Sequence, residues 1–155
     1  MAETVLARIE QFLNGKSMPF ATLRHAPVFT SEEAAAVRGT SLASGAKALV
    51  CKLDERFVMF VVPADRKLAS SQVRKQLQAR SLRFANRDEV LQLTGLAPGS
   101  IPPFGSLFGL PTYCDRRLPE TGTINFNAGD HAVSISMQGN DYLTAEQPTL
   151  GEFAE

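Results

Sequence analysis

The sequence predicts a mixed α/β (α+β) fold built as one domain of 155 residues, and three observations carry that prediction. Apolar residues recur at helical spacing in some stretches and run almost continuously in others. Two apolar runs, 46–53 and 57–63, are separated only by Asp54-Glu55-Arg56, which reads as a β-hairpin. Two segments, Thr30-Ser31-Glu32-Glu33 and Asn86-Arg87-Asp88-Glu89, carry the cap signature of a helix start. Helices and strands interleaved in this way call for a mixed sheet.

Val5, Leu6, Ile9, Phe12 and Leu13 lie on one helical face and Asn14-Gly15 ends the run, so residues 3–14 are read as an amphipathic helix. Residues 20–25 read as a short strand. Thr30 caps a second helix, Glu33 completes its capping box, and Gly39 stops it. After the hairpin comes a helix over residues 70–79 with Val73 and Leu77 facing inward. A short strand follows at 82–85, then a helix capped by Asn86 and closed by Gly95. Residues 95–105 form a Gly/Pro-dense loop. Residues 112–115, 123–127 and 132–137 read as further strands, and a helical turn starts at Asn140-Asp141.

Composition narrows the function classes. The hydrophobic fraction is 44%, ordinary for a soluble globular chain, and sixteen basic residues balance sixteen acidic ones. Net charge gives no whole-protein attraction to nucleic acid or membrane. The charges are nevertheless polarised: residues 66–87 hold seven Lys/Arg and no acid. That stretch is either a solvated helix face or a surface for an RNA or a phosphate-bearing ligand. Cys51 and Cys114 are far apart and not in a metal spacing, which suits a reducing compartment. No run approaches a membrane span and the N-terminus is not a signal peptide, so the expected location is the cytoplasm.

Conventional catalytic motifs are absent. The chain has no nucleophile elbow, Walker loop, dinucleotide fingerprint, zinc-protease motif or Cys-x-x-Cys, and only His25 and His131 as histidines. The expectation is therefore no metal and no cofactor, with chemistry done by positioning and electrostatics. Lys47 lies inside the apolar run Ala46-Lys47-Ala48-Leu49-Val50 and must keep its charge out of the core. Either it snorkels to water from an edge or it points into a cleft as a functional cation. Gly99 is either a plain turn glycine or a position where backbone amides approach a ligand. Thr30 is most simply an N-cap.

The order of the motifs carries a resemblance. The segments His25-Ala26-Pro27-Val28-Phe29-Thr30-Ser31-Glu32-Glu33-Ala34 and Gly45-Ala46-Lys47-Ala48-Leu49-Val50 come first. Gly95-x-x-Pro98-Gly99-Ser100-Ile101-Pro102-Pro103-Phe104-Gly105 and Asn125-Phe126-Asn127-Ala128-Gly129 follow. Together they resemble the YbaK/prolyl-tRNA-synthetase-associated domain family, which hydrolyses mischarged aminoacyl-tRNA. The resemblance implies a mixed, partly closed β-sheet surrounded by helices. It implies that Lys47 holds the acceptor end of the tRNA and that the Gly99 backbone, opening the Gly-x-x-x-Pro loop that ends at Pro103, orients the aminoacyl carbonyl. Ser100 and Pro103 belong to that loop. Thr30 and His25 would shape the pocket, and His131 resembles a histidine near the pocket of synthetase-inserted members. The implied activity is an aminoacyl-tRNA deacylase in which the tRNA's own ribose hydroxyl helps activate water. The implied partners are aminoacyl-tRNA, commonly the proline acceptor tRNA(Pro), and prolyl-tRNA synthetase. Alanine-editing members carry Lys-Asn where this chain has Lys47-Ala48, so the amino acid stays open among alanine, cysteine, serine, threonine and small non-protein residues. A tRNA- or synthetase-binding module without activity, and a hydrolase of small aminoacyl esters, are the competing readings.

Overall fold

The computed structural model describes residues 4–155. Val5–Gly15 forms α1, whose cap Thr4 accepts the Ala7 amide at 3.1 Å, and Ile9 and Leu13 on its inner face are fully buried. Residue 3, where the helix was expected to start, lies outside the described residues. Ala21–Arg24 is β1 and Ser31–Arg38 is α2. Ala46–Leu53 (β2) and Arg56–Pro63 (β3) form the hairpin. Leu53 faces Arg56 across it, so the turn is Asp54-Glu55 alone, with Asp54 at φ 52°. A left-handed residue matches the twist of the flanking strands, which is why Arg56 joins the strand and not the turn.

Ser70–Leu77 is α3, shorter than expected because Gln78 turns left-handed at φ 53° and ends it. Leu82–Phe84 (β4) precedes Arg87–Thr94 (α4), where Asn86 and Glu89 bond reciprocally as the sequence predicts. Thr112–Asp115 is β5, Thr123–Asp130 is β6 and Val133–Gln138 is β7. β6 runs past residue 127 through an irregularity between Asn127 and Asp130. The turn expected at Asn140 is a full helix, Gly139–Glu146 (α5), and Thr149–Gly151 adds an unanticipated strand, β8.

Two sheets result. β1, β7 and β6 form an antiparallel sheet in that order. β4-β2-β3-β5-β8 is mixed: β2 is antiparallel to β3 and β4, while β3–β5 and β5–β8 are parallel. A parallel bridge from Gly45 to Asn125 joins the two sheets into an incompletely closed whole. β3 lies centrally and is buried on both faces, as its continuous apolar run requires. Met59 and Val61 enter the main core with Ile9, Leu13, Phe104, Phe126 and Tyr142. Val58, Phe60 and Val62 face the other way, onto Val73, Tyr113 and Phe153. Each such side chain contributes roughly 1.5–3 kcal/mol on burial. The start of β2 is thereby held rigidly at the seam between the sheets.

Candidate active site

The seam opens into a cleft of about 180 Å³. Its walls come from the segment leading into α2, from α2 itself, from the first residues of β2, from Gly99 and Ile101, and from Asn127 of β6. Lys47, Gly99 and Thr30 all line it, so the structure brings these three predicted residues together from three separate parts of the chain.

Lys47 is half-buried, and its Nζ donates to the Arg66 carbonyl at 2.8 Å, which among the described residues leaves two ammonium hydrogens for another acceptor. Burial pushes its pKa below the ordinary lysine value. The charges of Glu32 and Asp65 oppose that shift, and nearby Lys67 adds to it. The lysine thus stands at the cleft with its charge only partly solvated. The same Arg66 contact puts the start of the basic stretch beside the cleft, and all seven of its cations are exposed.

Gly99 has φ +92°, a backbone state that a side-chain-bearing residue adopts only with strain. Its carbonyl accepts from Asn127 Nδ2 at 2.5 Å. Among the described residues its own N–H has no protein acceptor, so one backbone donor is left for a ligand. Thr30 is fully engaged as a cap: its hydroxyl accepts the Glu33 amide at 3.1 Å and donates to Glu33 Oε1 at 3.2 Å. It shapes the wall by fixing the start of α2.

Ser100 and Pro103 of the loop, and His25 and His131, the other residues that the resemblance put at or near the pocket, do not line the cleft. Ser100 is 3% exposed and donates to the Ala97 carbonyl at 2.8 Å, which tightens the turn before it. Pro103 is buried, and its carbonyl accepts from the Tyr142 hydroxyl at 2.6 Å. Both build the loop that carries Gly99. The His131 ring packs on Phe29 with centroids 4.7 Å apart and lies just behind Gly99, while its buried Nδ1 has no hydrogen-bond partner among the described residues.

His25 reaches the cleft indirectly. Its Nδ1 lies 2.8 Å from the Ala26 carbonyl, which can only accept, so Nδ1 carries the proton of the neutral ring. Nε2 then accepts from Ser134 Oγ at 2.8 Å, and Ser134 Oγ in turn accepts from Arg38 Nε at 2.8 Å. Arg38 Nη2 donates to Asn127 Oδ1 at 2.9 Å. Arg38, Asn127 and Ser134 were not singled out in the sequence. Arg38 reads there as an ordinary basic residue at a helix end, and the other two as strand polars. The one available signal was Asn127 in the motif Asn125-Phe126-Asn127-Ala128-Gly129.

Chemically, the cleft offers a cation, a loop glycine whose backbone N–H is uncommitted among the described residues, and a polar wall. That set can hold a phosphate or hydroxyl beside a carbonyl and stabilise a developing oxyanion. Cys51 and Cys114 are buried away from it, and burial pushes both thiols up to about 12, Asp115 adding to the effect at Cys114, so neither supplies a nucleophile. Among the described residues no cluster of three or more His, Cys, Asp or Glu could hold a metal ion, and no helix is long and apolar enough to cross a membrane.

Comparison with known proteins identifies the family and the fold. A family model described as the aminoacyl-tRNA editing domain matches residues 25–145. The chain is 34% identical over 151 residues to the multifunctional Ser/Thr-tRNA deacylase ProXp-y of Escherichia coli (strain K12), covering 94% of this chain and 90% of the relative. It is 31% identical over 110 residues to a stretch of the proline–tRNA ligase of Bacillus subtilis (strain 168), covering 69% of this chain and 20% of the ligase. The crystal structure of hypothetical protein APE2540 superposes with a TM-score of 0.88 at 21% identity, over 96% of this chain and 99% of that one. A candidate trans-editing enzyme for prolyl-tRNA synthetase superposes with a TM-score of 0.84 at 22% identity, over 100% of this chain and 99% of that one.

Proposed function

The chain belongs to the aminoacyl-tRNA editing domain family, and from that premise we propose that it is a deacylase that clears mischarged tRNA(Pro) in the cytoplasm. The observation that carries this reading is the meeting of Lys47 and the unpaired Gly99 N–H in one small cleft.

An aminoacyl ester needs no strong protein nucleophile, because the ester is already activated. Lys47 holds the terminal phosphate or ribose of the acceptor end, and the Gly99 N–H receives the ester carbonyl. As water attacks, negative charge grows on that carbonyl oxygen, and the N–H and the lysine stabilise it. A ribose hydroxyl of the substrate takes part in activating the water. The ester C–O bond breaks, the amino acid leaves as the free acid, and the tRNA keeps its hydroxyl. The E. coli relative is named for serine and threonine, and the wall here contains the hydroxyl side chains Ser31 and Ser41. A polar wall of that kind suits a hydroxylated side chain, so serine and threonine are the favoured substrates. Editing by a second site serves where a synthetase pocket cannot reject near-isosteres by binding alone.

The test is deacylation of tRNA(Pro) charged with serine, threonine, alanine, cysteine, 2-aminobutyrate or proline. Rapid loss of serine or threonine with proline spared supports the reading. A rate equal to buffer for every one of them rejects it and leaves a binding module.

A further inference from the structure

Arg38 is an expensive residue to place where it stands. Burial pushes its pKa down with no opposing carboxylate, and among the described residues the ion pairs are Arg83–Glu89 and Arg117–Asp115. A guanidinium desolvated against neutral partners is retained only where its fork does something a neutral group cannot. Here the fork has two engaged tines. Nε donates to Ser134 Oγ on β7 and Nη2 donates to Asn127 Oδ1 on β6. The second contact fixes the Asn127 amide: Oδ1 is turned to the cation, so Nδ2 must face the other way. Nδ2 there donates to the Gly99 carbonyl at 2.5 Å. Nearby, the Gly129 amide holds the Ser100 carbonyl at 2.9 Å, so β6 grips the loop at two successive peptides.

We infer that Arg38 is a positioning residue which, through Asn127, fixes the Gly99–Ser100 peptide plane and, through the Gly99 Cα, limits how the preceding plane, which carries the Gly99 N–H, can turn toward substrate. The inference rests on the proposed role of Gly99 in deacylation, but the hydrogen-bond relay is measurable without it. Gly99 has no side chain, and its φ of +92° gives no steric restraint of its own. Its orientation is held from outside, by Asn127 and the turn around it. A misplacement of about 1 Å is enough to impair catalysis by about 10²-fold.

Four variants test this: Arg38→Ala, Asn127→Ala, the two combined, and Asn127→Asp. Steady-state deacylation should show kcat reduced about 10²-fold in each, with KM near wild type. The double variant should be no worse than the worse single one, because both cut the same chain. Asn127→Asp is the discriminating variant. Its carboxylate pairs with Arg38, so its melting temperature is kept or raised, yet it has no N–H for the Gly99 carbonyl and repels it. A merely structural Arg38–Asn127 contact would survive this change with kcat intact, and that result would overturn the inference. Losses that multiply in the double variant, or that fall on KM alone, would also overturn it. Independently of activity, the Gly99 carbonyl carbon resonance in labelled protein should move upfield alike in Arg38→Ala and Asn127→Ala. An unmoved resonance in Arg38→Ala, with movement in Asn127→Ala, would break the relay. If wild type deacylates nothing, the proposed function fails, while the carbonyl resonance still decides the relay.

Discussion

Lys47 can sit in a strand with apolar neighbours because its Nζ reaches the Arg66 carbonyl and the cleft beyond. Its lowered pKa means that folding disfavours its charged form. The cost is present in full where both folded and unfolded states are protonated, and it vanishes as pH rises above the unfolded lysine value. Lys47→Met removes that cost. At neutral pH its melting temperature should equal or exceed that of wild type while deacylation falls about 10²-fold or more. A thermal melt beside a rate assay checks both, and a lower melting temperature would make the lysine structural. The two thiols give a second prediction: a thiol-specific disulfide reagent at pH 8 should modify neither cysteine in the native protein and both after denaturation. Lys47 and Gly99 stood out in the sequence because a charge in an apolar run and a glycine in a stiff loop each break a local rule, but it was the order of the motifs and the family resemblance that chose the functional reading over the plain one. Arg38 breaks none, since a basic residue in the last turn of a helix is what helix electrostatics favours. Its burial depends on β6 and β7, far away in sequence.

At the level of elements, α2 carries one wall of the site and its capping box sets where that wall begins. Thr30→Ala should lower stability by about 1 kcal/mol and raise KM more than it lowers kcat, whereas Thr30→Ser should behave as wild type. Denaturant titration and steady-state kinetics would show it. At the other end of the molecule, β8 is locked beside β5 by Asp115, whose Oδ2 accepts the Phe153 and Ala154 amides at 2.9 Å. Burial pushes that carboxyl up, but Arg117 and the backbone amides of Arg117, Ala154 and Phe153 more than reverse the effect, and its pKa lies below the ordinary aspartate value. The stability it contributes is therefore present above the unfolded carboxylate value and lost as pH falls through the lower folded one. Asp115→Asn should cost about 1–3 kcal/mol at neutral pH and flatten the acid limb of the stability profile, measured by denaturant melts at several pH values. β8 escaped the sequence reading for the same reason. Thr149-Leu150-Gly151 has no pattern of its own, and its pairing is set by a carboxylate on another strand.

Across the whole molecule, the fold class was readable because local signals agreed: capping boxes, a hairpin and a central strand apolar from Phe57 onward. The parallel pairings of β3 with β5 and β5 with β8 were not, since they join segments remote in sequence with no local mark. The charge distribution is also a global property. A neutral chain carries its seven exposed cations of residues 66–87 in one stretch that begins beside Lys47. If that face meets the tRNA, Arg74→Glu combined with Lys75→Glu should raise KM for aminoacyl-tRNA, leave kcat unchanged and reduce the salt slope of binding by roughly 1–2. Salt-dependent binding to uncharged tRNA measures it directly. The central claim is that this cleft hydrolyses an aminoacyl ester with Lys47 and the Gly99 backbone. The most direct measurement is single-turnover deacylation of Ser-tRNA(Pro) and Pro-tRNA(Pro) by wild type and Lys47→Met. The account predicts fast loss of serine, sparing of proline, and a folded variant that releases neither. Equal rates for wild type and Lys47→Met would contradict it.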